Sequence, residues 1–95
     1  MTVAAPLVEL RFPAVLKLAV GKDRVRIRGR SLLEMLDAAY DELQQLRYHL
    51  TLDSGEMRPH ILLILNGESV LREEVAATKL AEGDEVWVHQ AISGG

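Results

Sequence analysis

The sequence predicts an α+β domain, a mixed sheet of four to five strands with one main helix across one face. Three observations predict it. Leu7–Phe12 and Arg24–Arg28 alternate apolar with charged residues and are bounded by breakers. A stripe of leucines at helical spacing begins at Leu32. Beyond it, a short apolar run, Ile61–Leu65, and an alternating run, Glu85–His89, supply further strands. With 95 residues there is room for one core, and a domain of this size buries roughly 60–70% of the surface its unfolded chain exposes.

Val8, Leu10 and Phe12 share one face and Glu9 and Arg11 the other, so the first segment reads as a half-buried strand stopped by Pro13. Val15–Val20 is a second apolar stretch, broken at Gly21-Lys22-Asp23. In Arg24–Arg28, Val25 and Ile27 point inward and three arginines outward. Leu7–Gly29 therefore reads as a hairpin with a loose connection. Ser31-Leu32-Leu33-Glu34 has the form of a capping box, which starts the helix at Leu32. Leu32, Leu36, Ala39, Leu43 and Leu46 recur on one face, widened by Leu33, Met35 and Tyr40, and the helix is expected to end at 45–47.

Arg47–His60 shows only a turn signal, Asp53-Ser54-Gly55, and a helix stop at Arg58-Pro59. Ile61–Leu65 reads as a strand buried on both faces, and its place after the helix suggests a parallel central pairing. Asn66-Gly67 is a tight-turn signal, because both residues tolerate positive φ. A short strand is expected within Val70–Val75, a single helical turn at Thr78–Leu80 and a turn at Glu82-Gly83-Asp84. The last strand sets Val86 and Val88 against Trp87. This reading makes 1–89 the folded body and 90–95 a flexible tail.

Composition narrows the chemistry. Eleven basic against fourteen acidic residues leave a net charge of −3, which argues against nucleic-acid binding. No cysteine is present, which excludes disulfides, thiolate metal sites and a cysteine nucleophile, and fits a reducing compartment. Met1–Phe12 lacks a signal-peptide pattern, and no apolar run approaches the roughly 20 residues that cross a bilayer. The expectation is a soluble, cytoplasmic protein with no membrane partner. His49, His60 and His89 lie in separate segments without metal-ligand spacing, so no metal site is expected. Asp53 with Glu56, and Glu73 with Glu74, read as solvated carboxylates rather than acid–base pairs.

The runs Ile61–Glu68, Leu80–Val86 and Ala91-Ile92-Ser93-Gly94-Gly95, in this order, resemble the ubiquitin-like sulfur carriers. That family includes the small subunit of molybdopterin synthase, the thiamine sulfur carrier and carriers of a cysteine synthesis route. The resemblance covers nearly the whole chain. It implies a β-grasp fold and, at Gly95 with Gly94, a carboxylate that an adenylating enzyme activates with ATP and a sulfur donor converts to a thiocarboxylate. It also implies a co-substrate rather than an enzyme, with no stably bound cofactor. Such a carrier could serve as the small subunit of a synthase such as molybdopterin synthase. The implied partners are the adenylating enzyme, a sulfur donor such as a rhodanese or cysteine desulfurase, and a sulfur-accepting synthase. Many relatives carry proline after the last strand, where this chain has Gln90.

The tail suits that work chemically. Glycines without a Cβ admit a nucleotide to the terminal carbonyl, and six extended residues from Gln90 reach roughly 20 Å. A protein modifier, joined to lysines through the same glycine, and an inert interaction module are the competing readings. Arg24, Arg26, Arg28 and Arg30 share a parity and form a stripe. The stripe reads first as a solvated face protecting an edge strand, and it can also dock an acidic partner. Trp87 reads either as part of an interface or as covered by 47–60. The expected partner surface is Arg11, Arg24, Arg26, Arg28, Trp87 and Ile92.

Overall fold

A computed structural model describes residues 4–90. β1 (Leu7–Arg11) forms as expected, with Val8 and Leu10 buried. Between it and β2 (Arg24–Arg28) lies a helix, α1 (Ala14–Val20), where a loose connection was expected. Pro13 stands at its N-cap, and Gly21 at φ 84° closes it with an N–H bond to the Lys17 carbonyl. Only Leu16 of α1 is fully buried; Val15 and Leu18 are exposed, which is why the segment shows no clear helical stripe.

α2 (Leu32–Glu42) starts where the capping box predicts. The Ser31 hydroxyl accepts the Glu34 N–H at 3.1 Å, and Glu34 reaches back to the Arg30 N–H at 3.2 Å. The expected single helix is in fact two. Leu43, at φ −126° and ψ 84°, leaves helical geometry, and α3 (Gln44–Leu50) continues in a new direction. The break lets both segments bury leucines: Leu32 and Leu36 on α2, Leu46 and Leu50 on α3. Met35 and Tyr40 are core as expected, whereas Leu33 is 45% exposed.

β3 (Ile61–Leu65), β4 (Glu68–Val70) and β5 (Glu85–Gln90) complete a five-stranded sheet in the order β2-β1-β5-β3-β4. Asn66 and Gly67, at φ 48° and 89°, make the tight turn between β3 and β4. Four expectations fail here. The parallel pair is β1 with β5, while β3 runs antiparallel to both neighbours. Leu62 is 39% exposed, so the helices cover β3 on one face only. Beyond β4, Arg72–Glu74 form a 3-10 turn rather than a strand, and Lys79 pairs with Ser31 as a bridge rather than joining a helical turn.

α2 and α3 lie over the inner face, where Val8, Leu10, Ile27, Ile61, Leu63, Val86 and Val88 point into one core. Gly29 belongs to this packing: a Cβ there would meet the Met35 backbone at 2.6 Å. Leu36 sits in the centre of the core at 2% exposure. Leu36→Ala should cost about 2–5 kcal/mol in urea unfolding, and an unchanged midpoint would show that this helix face is misplaced.

Burial, reinforced by Asp37 and opposed by Arg47, pushes the Tyr40 hydroxyl up to about 12. An unfolded tyrosine ionises near pH 10. Between about pH 10 and 12 the unfolded chain therefore binds fewer protons than the folded one, and stability falls as pH rises. Tyr40→Phe should flatten that decline in unfolding measured against pH. A decline of the same steepness would assign it to another group.

Candidate functional site

The site is built on β5, the central strand, which runs from a hydrogen-bonded clasp to the root of the tail. The Asn66 Nδ2–H donates to Asp84 Oδ1 at 3.0 Å, and Asn66 Oδ1 accepts the Glu85 N–H at 2.9 Å. The Asn66 N–H donates to the Glu85 carbonyl at 2.9 Å. Asp84 Oδ2 accepts the Ala81 N–H at 2.8 Å, and the Asp84 carbonyl accepts the Glu9 N–H at 2.9 Å. Two turns far apart in sequence thus hold each other, and together they set the register of β5 between β1 and β3. At the other end Gln90 pairs with Ile61, the first residue of β3.

The outer face of the sheet carries a plate of paired charges around an aromatic ring. Trp87 is 37% exposed and points away from the helices, as its alternation with Val86 and Val88 predicts. Its Nε1–H donates to Glu85 Oε1 at 2.6 Å. The Arg11 guanidinium lies 4.7 Å from the centre of the ring. Arg11 also approaches Glu9 at 3.4 Å and Glu85 at 3.6 Å. Leu62 and Ile64 of β3 extend the apolar part of this face beside His89 and Trp87.

Arg24, Arg26 and Arg28 stand exposed along β2, as their parity predicts. Arg24 reaches Glu9 at 3.6 Å, and the Arg28 Nη1–H donates to the Ala5 carbonyl at 2.7 Å. Arg30 leaves the stripe to pair with Glu34 at 3.6 Å, beside the start of α2. The structure therefore brings Arg11 and Trp87 into contact and sets the β2 arginines at the edge of the same face. Ile92, Gly94 and Gly95 lie outside the described residues. Among the described residues no three potential ligands cluster for a metal ion, and no helix is long and apolar enough to cross a membrane.

Sequence reasoning missed three structural contributors. Glu9 bridges Arg11 and Arg24, which alternation shows only as an outward residue. Arg72 donates to the carbonyls of Met57 and Arg58, pinning the segment before β3. Asn66 and Asp84 each signal a local turn, and nothing in the sequence states that they face each other.

The comparisons with known proteins agree with this geometry. The model of the ThiS family matches residues 10–95. The chain belongs to the ThiS family. It is 32% identical over 93 residues to small archaeal modifier protein 3 of Haloferax volcanii, covering 92% of this chain and 97% of that protein. The crystal structure of small archaeal modifier protein 1 from the same organism superposes with a TM-score of 0.81 at 27% identity, covering 94% and 99% of the two chains. The Amycolatopsis orientalis BexX/CysO complex contains a chain with a TM-score of 0.78 at 21% identity, with 93% and 99% covered. The fold is accordingly the ubiquitin-like β-grasp, in a family of small modifiers and sulfur carriers.

Asn66 gives the clasp its measurable consequence. Asn66→Gly keeps a residue tolerant of positive φ but removes two side-chain hydrogen bonds. With each worth about 1 kcal/mol net, urea unfolding should show a loss of roughly 2 kcal/mol. Amide exchange should accelerate first at the start of β5. An unchanged midpoint would show that the clasp is incidental.

Proposed function

We propose that this protein is a sulfur carrier in which the Gly95 carboxylate is the working group. The observation that carries the reading is the pair Gly94-Gly95, a few residues beyond the central strand and inside the span 10–95 that the ThiS family model matches. A free carboxylate is a poor acylating group. Attack of its oxygen on the α-phosphate of ATP, with loss of pyrophosphate, makes an acyl-adenylate whose AMP is a good leaving group. A persulfide sulfur on a donor protein then attacks the acyl carbon and AMP departs. A second thiol reduces the resulting acyl disulfide and leaves a thiocarboxylate on Gly95.

The chain's part is delivery. Residues 91–95 span at most about 17 Å when extended, so the terminal carbonyl can enter a partner's nucleotide site while the body docks outside. Neither terminal glycine has a Cβ to block the approach. With no cysteine in the sequence, this chain cannot carry sulfur as its own persulfide. The partners required are an adenylating enzyme, a rhodanese or cysteine desulfurase as donor, and a synthase that accepts the sulfur. A surface for them is the outer sheet face with Arg11, Trp87 and the β2 arginines, together with Ile92 of the tail. The BexX/CysO complex supports a protein partner for a chain of this fold. The relative named as a modifier supports a second reading, in which a lysine amine attacks the same activated carbonyl.

Deleting Gly95 shortens the tail by one residue and leaves the core untouched. The shortened chain should unfold at the parent's urea midpoint yet support no ATP–pyrophosphate exchange with the adenylating enzyme that activates the parent. Exchange at the parental rate would overturn the assignment of Gly95.

A further inference from the structure

β2 forms one edge of the sheet, and its pairing decides which backbone groups that edge presents. The Phe12 N–H donates to the Asp23 carbonyl at 2.9 Å, and the Gly29 N–H to the Pro6 carbonyl at 3.1 Å. With Val8 opposite Ile27 and Leu10 opposite Val25, positions 23, 25, 27 and 29 turn their backbone groups toward β1. The N–H and C=O groups of Arg24, Arg26 and Arg28 therefore point away from the sheet. On the inner side of this edge a shallow, open depression of about 550 Å³ lies between β2 and α2, with Arg26, Ile27, Arg28, Ala38, Asp41 and Glu42 among its lining residues.

We propose that this edge accepts an extended acidic peptide segment of a partner protein as a sixth strand. A row of outward backbone groups is a template for strand addition. Side chains of an added strand alternate between the two faces. Those on the outer face would lie about 5 Å from the side chains of Arg24, Arg26 and Arg28, where carboxylates are favoured. Within the β1–β2 register Glu9 stands opposite Arg26, and its carboxylate is shared between Arg24 and Arg11. The stripe therefore keeps positive charge to offer.

The inner phase differs. Ile27 and Ala38 favour a short apolar side chain, and the charges of Asp41 and Glu42 are set against those of Arg26 and Arg28 in the same lining. The edge thus favours acidic residues in the outer phase and short apolar ones in the inner phase. It also discriminates against a second copy of itself, because two β2 edges would set arginine against arginine. The other edge, β4, is three residues long and opens with Glu68, so it matches neither length nor charge. Strand addition at β2 extends the sheet in its own plane. It leaves Trp87 and the tail root at Gln90 free, and it does not depend on sulfur chemistry at Gly95.

The test uses an N-acetylated heptapeptide alternating glutamate and valine, titrated into the isotope-labelled full chain at low salt. Saturable shifts should appear at the amides of Arg24, Arg26 and Arg28, with affinity falling as salt rises. Arg26→Glu, or N-methylation of the peptide's edge-facing amides, should each weaken binding at least about tenfold. Equal binding of the methylated peptide would reduce the interaction to ion pairing on the outer face and overturn the proposal. So would equal binding of a lysine–valine peptide, shifts confined to Arg11 and Trp87, or no saturable binding.

Discussion

The structure depends on β5 being held in the middle of the sheet. It is the last strand to be synthesised, yet it pairs with the first strand on one side and with β3 on the other. Its position is set by the mutual grip of Asn66 and Asp84, which satisfies backbone groups at the start of β5, in the turn before it and in the middle of β1. Without that grip, sliding β5 by one residue would turn Val86 and Val88 outward and carry Trp87 into the core. One polar contact between two turns thus protects the apolar core and the exposed face together.

From that constraint follows a division of labour along a single strand. Val86 and Val88 join the core beneath α2 and α3. Glu85 and Trp87 form the outer plate with Arg11 and Glu9. Gln90 closes the strand opposite Ile61. The pairing of Arg11 with two carboxylates restrains the guanidinium over the indole, so the plate presents an ordered aromatic surface rather than loose charge. The exposed arginines of β2 lie at the rim of the sheet. Such an arrangement places apolar contact at the centre of the outer face and electrostatic attraction at its rim, a combination suited to partners that bind and release.

Much of this was legible in the sequence. Alternation located β1, β2 and β5 and assigned the outward parity of Trp87 and the β2 arginines, because a half-buried strand must separate its two faces. Ser31 and Glu34 marked the start of α2, since capping chemistry is local. The remainder was hidden by tertiary effects. Nothing in the residues around Leu43 announces a helix break; it follows from packing Leu46 and Leu50 onto the core. The helix α1 was obscured because its short length and exposed Val15 and Leu18 carry no clear periodicity. The run Ile61–Leu65 suggested a parallel strand buried on both faces, but one face lacks a helical cover, and uniform apolarity cannot show that. At the site, Gly94 and Gly95 were recognised through family resemblance, whereas the Asn66–Asp84 grip required the fold.

The central claim is that Gly95 carries sulfur, and intact-mass analysis tests it most directly. The full chain is incubated with the adenylating enzyme that activates it, ATP, a persulfide donor and a thiol reductant, and then weighed. The account predicts replacement of one oxygen by sulfur, localised by fragmentation to Gly95. Full activation accompanied only by chains joined to lysines, with no thiocarboxylate at any time, would contradict it and establish the modifier chemistry instead.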